Sequence, residues 1–420
     1  MMMRKFLLAA AAWAALTGGA AADTLTEAMT SALETNPTIE ARRSRLDATK
    51  ENLPQARAAA LPSVSISGGA TASQRDGGGA PGSSNENWST SASASQLLFG
   101  SGAVAASTRQ ARAGIAGAEA DYNGAVQTLL LDVTTAYAGV REAQAIVTAR
   151  QRTAENLETQ RKFAEARFNA GVATRTDLAQ AQARLAQART QLIQSQGALA
   201  AANEAYLRLI GRPAGPLEPV PAVAGLPASL DAALSLGAEQ SPTLISARAA
   251  ELSADAAVAA TYAARGPRVS LEAGTSLGND FDSGFSNSSS DNVGVRVSIP
   301  LFSGGAASSR TRQSKALRQA AGLDRAAAER QLRETVTTAW TSVDTARAAY
   351  KSAQEQLEAS ELAYRGVTLE QEVGLRSTVE VLDQEADLLA ARLALAAAER
   401  ELAIAERRLL ATTGSLTQPR

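Results

Sequence analysis

Residues 103–169 read AVAASTRQARAGIAGAEADYNGAVQTLLLDVTTAYAGVREAQAIVTARQRTAENLETQRKFAEARFN, 67 residues without a proline. Ile115, Tyr122, Val126, Leu129, Val133, Tyr137, Val140 and Val147 recur within it at spacings of three, four and seven, the period of one helix face. At ~1.5 Å per residue, such a helix is a rod of roughly 100 Å. A rod that long buries nothing by itself and must pack laterally. Its interleaved Ala, Gln and Arg positions suit close helix neighbours on one side and water on the other. After it, residues 174–210 read as a returning helix. Before it, residues 24–60 carry Leu25, Ala28, Met29, Ala32 and Leu33 at helical spacing, with Asp23 or Thr24 available as cap. Pro37 and Pro54 interrupt that pattern and predict a broken helix. These two shorter helical stretches sum to about one long rod and could stack end to end beside it.

Between the first helix and the rod the period changes to two. Val64, Ile66, Gly68, Ala70 and Ala72 alternate with Ser63, Ser65, Ser67, Gly69 and Thr71, predicting strands over 63–72 and, after a Gly/Ser/Asn-rich loop at 73–87, over 88–98. The second half repeats the pattern. Val269, Leu271, Ala273, Thr275 and Leu277 predict a strand over 268–277. Val293, Val295, Val297, Ile299 and Leu301 predict its partner over 292–302. Each is about 9–11 residues, the length that crosses a bilayer when tilted in a barrel. A small soluble sheet fits the alternation equally well. Arg296, on an alternating apolar strand, is expected to face a lumen, because charge facing lipid is costly. Trp88 and Phe302 fit interfacial aromatics or ordinary packing alike.

The chain is written twice. Leu25, Pro37, Pro62 and Gly69 match Leu230, Pro242, Pro267 and Gly274 at an offset of 205. Farther along, Leu98-Phe99, Thr134-Thr135-Ala136-Tyr137, Gly171 and Gly211 match Leu301-Phe302, Thr337-Thr338-Ala339-Trp340, Gly374 and Gly414 at an offset of 203. That is a tandem duplication. The predicted organisation is a signal peptide at 1–22, repeat 1 at 23–212, a Pro-rich surface linker at 213–228, repeat 2 at 229–414 and a tail at 415–420. The signal peptide follows from Arg4 and Lys5, the apolar run Phe6–Leu16 and Ala20-Ala21-Ala22 before Asp23. It implies export from a bacterial cytoplasm.

Composition narrows the function. The 420 residues include no His and no Cys, so disulfides, thiol nucleophiles and thiolate zinc sites are excluded, and the usual proton shuttle is missing. Catalytic residues, cofactors and metals are therefore not expected. Removing Arg4 and Lys5 with the leader takes 41 basic residues to 39 against 42 acidic ones, so nothing argues for nucleic acid or a polybasic lipid contact. Gly77-Gly78-Gly79 lacks the Lys and helix context of a phosphate loop and reads as an external tip.

The order of signal peptide and duplicated helix–hairpin–helix–turn–helix, with Phe-Asn-Ala-Gly-Val-Ala-Thr-Arg-Thr-Asp-Leu at 168–178 and Ile-Pro-Leu-Phe-Ser-Gly-Gly at 299–305, resembles the TolC family of outer-membrane efflux and type I secretion channels. The resemblance covers residues 23–414. Four strands cannot close a barrel, and open edges are not tolerated in lipid, so chains must associate. Two copies give eight strands and a filled interior; three give twelve and a bore. The resemblance implies the homotrimer: a mostly α protein with transmembrane β, whose long helical hairpins form a trimeric α-barrel and whose four strands per chain contribute to a 12-stranded outer-membrane barrel.

The resemblance also implies function and sites. The family's channels are passive conduits from periplasm to exterior, coupled by a periplasmic adaptor protein to an inner-membrane ABC or proton-driven transporter. The reversals at Asn169-Ala170-Gly171-Val172 and Glu372-Val373-Gly374-Leu375 resemble the adaptor-docking tips, although Gly171 and Gly374 equally suit left-handed caps. Asp177 matches an acid that holds the entrance closed and Arg376 its basic partner. Gln371 stands where the family has a Tyr. Glu380 and Asp383, at i and i+3, fit a solvated helix face and also match the acids of a constriction, with Glu380 in place of an Asp; tripled about an axis they would attract cations and raise each other's pKa. The absence of a lipid-bearing Cys favours the family's non-lipidated branch. A soluble periplasmic coiled-coil scaffold or adaptor is the alternative reading, though an adaptor needs one hairpin and compact β domains.

Overall fold

The computed structural model describes residues 23–75, 83–280 and 286–416. The expected signal peptide, the Gly77–Gly79 tip and the last four residues of the expected tail lie outside them. Thr24, not Asp23, caps α1 (Leu25–Thr35): its hydroxyl accepts the Glu27 amide while the Glu27 carboxylate accepts the Thr24 amide, a capping box. The helix stops because Asn36 precedes a proline and is pushed to extended backbone. Pro37 then opens α2 (Pro37–Lys50), where its missing N–H leaves nothing unpaired. Asn36 is buried; its side chain accepts the Thr38 amide and donates to the Leu209 carbonyl. A short α3 (Asn52–Ala58) holds Pro54 in its first turn. Repeat 2 has no proline at the matching position, so only α6 (Leu230–Gln240) and α7 (Pro242–Ala263) form there.

Two 67-residue helices follow the hairpins, α4 (Ala103–Asn169) and α8 (Ala306–Glu372). Two 36-residue helices return from them, α5 (Arg175–Ile210) and α9 (Thr378–Thr413). Each of the latter ends on a left-handed glycine, Gly211 at φ 82° and Gly414 at φ 81°. The strands are β1 (Ser63–Arg75), β2 (Ser83–Phe99), β3 (Arg268–Asp280) and β4 (Ser286–Ser298). All three pairings are antiparallel, in the order β1-β2-β3-β4. All four strands run beyond their predicted loop-side ends, because the Ser/Asn-rich flanks continue the ladder as far as Arg75↔Ser83 and Asp280↔Ser286. β4 stops at Ser298, short of the predicted 302: Pro300 has no N–H for the ladder, and the chain must turn at Gly304 and Gly305 into α8.

The chain divides into two compact units that cut across the sequence repeats. One comprises Met1–Arg42, Asn123–Ser241 and Arg330–Arg420; the other comprises Arg43–Tyr122 and Pro242–Glu329. The first is held by thin alanine-rich helix contacts. Ala233 of α6 packs with Val336, Ala339 and Val343 of α8 and with Ala405 and Leu409 of α9. Small side chains let the backbones approach, as the alanine content requires.

The Pro-rich stretch forms no helix and is pinned to the start of the described chain. The Asp23 amide donates to the Pro216 carbonyl (2.9 Å), and the Glu218 amide returns to the Asp23 carbonyl (3.2 Å). The buried Tyr137 hydroxyl lies 2.7 Å from the Asp23 carbonyl and 2.9 Å from that of Glu218. Its ring meets Tyr206, also fully buried, at 6.5 Å.

Burial pushes the Tyr137 and Tyr206 hydroxyls up to about 12. An unfolded tyrosine ionises near pH 10. Between those values the unfolded chain releases protons that the folded chain keeps, so stability falls as pH rises. Each tyrosine contributes at most about 2–3 kcal/mol to that fall. The denaturation midpoint followed by tryptophan fluorescence is expected to hold to about pH 9 and drop towards pH 12. Tyr137→Phe should lower stability by about 1–3 kcal/mol at neutral pH and shrink the alkaline drop of the midpoint. A midpoint flat to pH 12 would contradict this.

Candidate functional site

The sheet has two chemically distinct faces. Val64 and Ile66 of β1 and Val293, Val295 and Val297 of β4 are each at least 60% exposed, and Val269, Leu271, Ala273, Ala92 and Ala94 share their face by register. The other face is hydroxyl-rich. Ser63, Ser65 and Ser67 meet Ser95, Ser93 and Ser91 with Oγ–Oγ distances of 3.0, 2.9 and 2.8 Å. Arg296 lies on this polar face, its Nε donating to Glu272 Oε1 at 2.7 Å. β1 and β4 each have a neighbour on one side only, so the sheet has two unpaired edges. Among the described residues no helix is long and apolar enough to cross a membrane.

At the C-terminal ends of α4 and α8 the chain reverses twice by one geometry. In the first reversal Gly171 is left-handed (φ 75°), its amide donates to the Phe168 carbonyl, and the Val172 amide donates to that of Arg167. In the second, Gly374 (φ 82°) donates to the Gln371 carbonyl and Leu375 to that of Glu370. Both are Schellman closures, which require the left-handed residue. Asn169 is exposed beside the first, and the apolar side chains of Val172, Val373 and Leu375 stand 63–76% exposed on the two turns.

Each turn feeds a capping box. The Asp177 carboxylate accepts the Thr174 amide (3.0 Å) and hydroxyl (2.9 Å), which hold its pKa below the usual range. Glu380 does the same with Ser377, at 2.9 Å for both bonds. Thr174 and Ser377, like Asp177 and Glu380, stand 203 apart, so these are one device duplicated.

The expected Asp177–Arg376 pairing is absent within the chain, because both have local partners. Arg376 Nε donates to Glu370 Oε2 (2.8 Å) at the end of α8, and its Nη1 donates to Glu380 Oε1 (2.7 Å) in the first turn of α9. Gln371 is buried and donates to Gln160 of α4 at 3.3 Å, apart from both. The Ser377 amide, Arg376 and the Ser377 hydroxyl together depress Glu380 to about 2. Within one chain its acidity thus moves opposite to the rise expected of a carboxylate among like charges. Asp383 sits one turn on and pairs with Arg184 of α5 at 3.2 Å, both half exposed.

One residue escaped the sequence reading. Glu385 is only 2% exposed, and its Oε2 accepts from Asn156 Nδ2 of α4 at 3.0 Å. Burial and the Glu385 charge push the nearby Tyr364 hydroxyl up to about 12. The signal was its spacing: Val381, Leu382, Glu385 and Leu388 put a carboxylate on an apolar helix stripe.

A family model described as outer membrane efflux protein matches residues 28–212 and 233–415. Outer membrane efflux protein BepC of Brucella suis is 29% identical over 413 residues, covering 96% of this chain and 88% of that protein. Protein CyaE of Bordetella pertussis is 30% identical over 405 residues, covering 93% and 84%. Among solved structures, the outer membrane protein VceC of Vibrio cholerae superposes with a TM-score of 0.77 at 20% identity, over 93% of this chain and 96% of that one.

Proposed function

The chain belongs to the outer membrane efflux protein family and is an outer-membrane channel of a tripartite export system, and from that premise we propose that it works as a homotrimer, a passive conduit docked to a periplasmic adaptor protein. The family is one of channels, not of enzymes. The observation that carries the trimer is the sheet. It has one exposed apolar face, one hydroxyl face and two unpaired edges. In hydrocarbon those edges must pair, and closure by three chains joins β4 of one copy to β1 of the next, giving twelve strands around a bore.

The two reversals are the adaptor-docking tips in this reading. Val172, Val373 and Leu375 offer apolar contacts, with Asn169, Gly171 and Gly374 shaping the turns. An inner-membrane ABC or proton-driven transporter supplies the energy. Asp177, Gln371 and Arg376 control the entrance, and Glu380 and Asp383 form its acidic constriction.

Two measurements test this. Native mass of the detergent-solubilised protein should give three copies; a monomer would overturn the trimer. Glu380→Gln with Asp383→Asn keeps the cap chemistry, since Gln also serves at that capping-box position. It should abolish block of the channel by trivalent cations. Block persisting in the double variant would remove both residues from the constriction.

A further inference from the structure

The polar face of the sheet is nearly devoid of charge. β1 carries no charged residue from Ser63 to Gln74, and those of β2 facing the same way from Ser89 to Ser95 are all serine. Between the strand ends, at which Arg268, Arg75 and Asp280 stand, the charges on this face are Glu272 of β3 and Arg296 of β4. They lie diagonally across the pairing: Glu272 is opposite Gly294, whose lack of a side chain leaves nothing between them, and Arg296 is opposite Ser270. The guanidinium Nε reaches Glu272 Oε1 at 2.7 Å, and the Ser270 hydroxyl lies 3.4 Å from the same oxygen.

The pairing does not depend on how copies join. A neighbouring chain added at the β4 edge would present β1, which offers Ser63, Ser65, Ser67, Gly69 and Thr71 on this face and no carboxylate. Arg296 therefore has Glu272 as its counter-charge in any register. Three copies would place three such pairs around the bore, each electrically neutral, among hydroxyls that hydrogen-bond water and solutes of either sign.

We propose that the Arg296–Glu272 pair is the charge-cancelling element of the barrel bore. It keeps the outer half of the conduit indifferent to the charge of its cargo, so that charge discrimination falls to the periplasmic entrance. This rests on the trimeric-channel reading above. Removing one partner leaves three like charges facing the bore, a ring of the kind that sets ion preference in channels. Removing both restores neutrality.

The test is the reversal potential of single channels in a KCl gradient, with the full trimer in planar bilayers. Relative to the unaltered protein, Arg296→Gln should shift it towards cation preference and Glu272→Gln towards anion preference. The double variant should return it to the starting value. Single variants that insert and conduct with an unshifted reversal potential would overturn the proposal, as would a double variant that fails to restore it. If a single variant does not assemble, Ser65→Cys provides the second readout. The chain has no cysteine of its own, so only that position is labelled. A cationic thiol reagent should shift preference towards anions and an anionic one towards cations; no shift with either would exclude this face from the ion path. Failure of the unaltered protein to insert would overturn the channel reading itself, and is distinguishable from every outcome above.

Discussion

Ile66→Arg is expected to abolish assembly in the outer membrane, whereas Ser67→Arg, one residue along, leaves the trimer intact. The two side chains leave the same strand on opposite faces. Ile66 is 79% exposed among the apolar positions, and the Ser67 hydroxyl pairs with that of Ser91 at 2.8 Å on the polar face. An arginine facing lipid at the bilayer midplane costs about 2–4 kcal/mol, and a trimer incurs that cost three times. The same arginine facing water displaces one neutral hydroxyl contact, worth about 0.5–1.5 kcal/mol. Native mass of the protein extracted by detergent from the outer-membrane fraction reads both outcomes. If both variants assemble equally, the apolar face does not meet lipid.

Arg376→Ser is expected to raise single-channel conductance and cation preference with little change in stability. Arg376 braces Glu370 at the end of α8 to Glu380 at the start of α9, and repeat 1 has Ala173 at the matching position, so only the second reversal is braced. Both ion pairs are half exposed, and solvent-screened pairs of that kind add little to stability. The Ser377–Glu380 capping box holds α9 without the arginine. What changes is charge: Glu370 and Glu380 lose their cation, which per trimer leaves six carboxylates uncompensated near the entrance. Unchanged conductance and selectivity would make Arg376 a local brace with no part in the gate.

The long helices were legible because nothing in residues 103–169 competes with the helical period. The break at Pro37 was legible for the same reason in reverse. Strand ends were not. β2 begins at Ser83, where serine and asparagine carry no apolar alternation and only the ladder to β1 defines the strand. At the end of β4, Ile299 and Leu301 continue the alternation on either side of Pro300, although the pairing stops at Ser298. At the two reversals, reading Asp177 and Glu380 as acids of a gate and a constriction passed over their spacing from Thr174 and Ser377, three residues, which is the capping-box signature. Single positions state which groups are charged; which partner takes each charge depends on the turn that brings local groups nearest. Glu385 shows the converse, a carboxyl group that the helix period places in the core and whose Oε2 finds its partner, Asn156, only when α4 packs against α9.

Single-channel recording from purified protein comprising residues 23–420 in a planar lipid bilayer tests the central claim most directly. Steady, cation-preferring openings are the predicted result, because the acidic entrance and not the neutral bore then sets preference. A protein that stays soluble without detergent and never inserts would contradict the account, and would make the four strands a soluble sheet on a periplasmic scaffold.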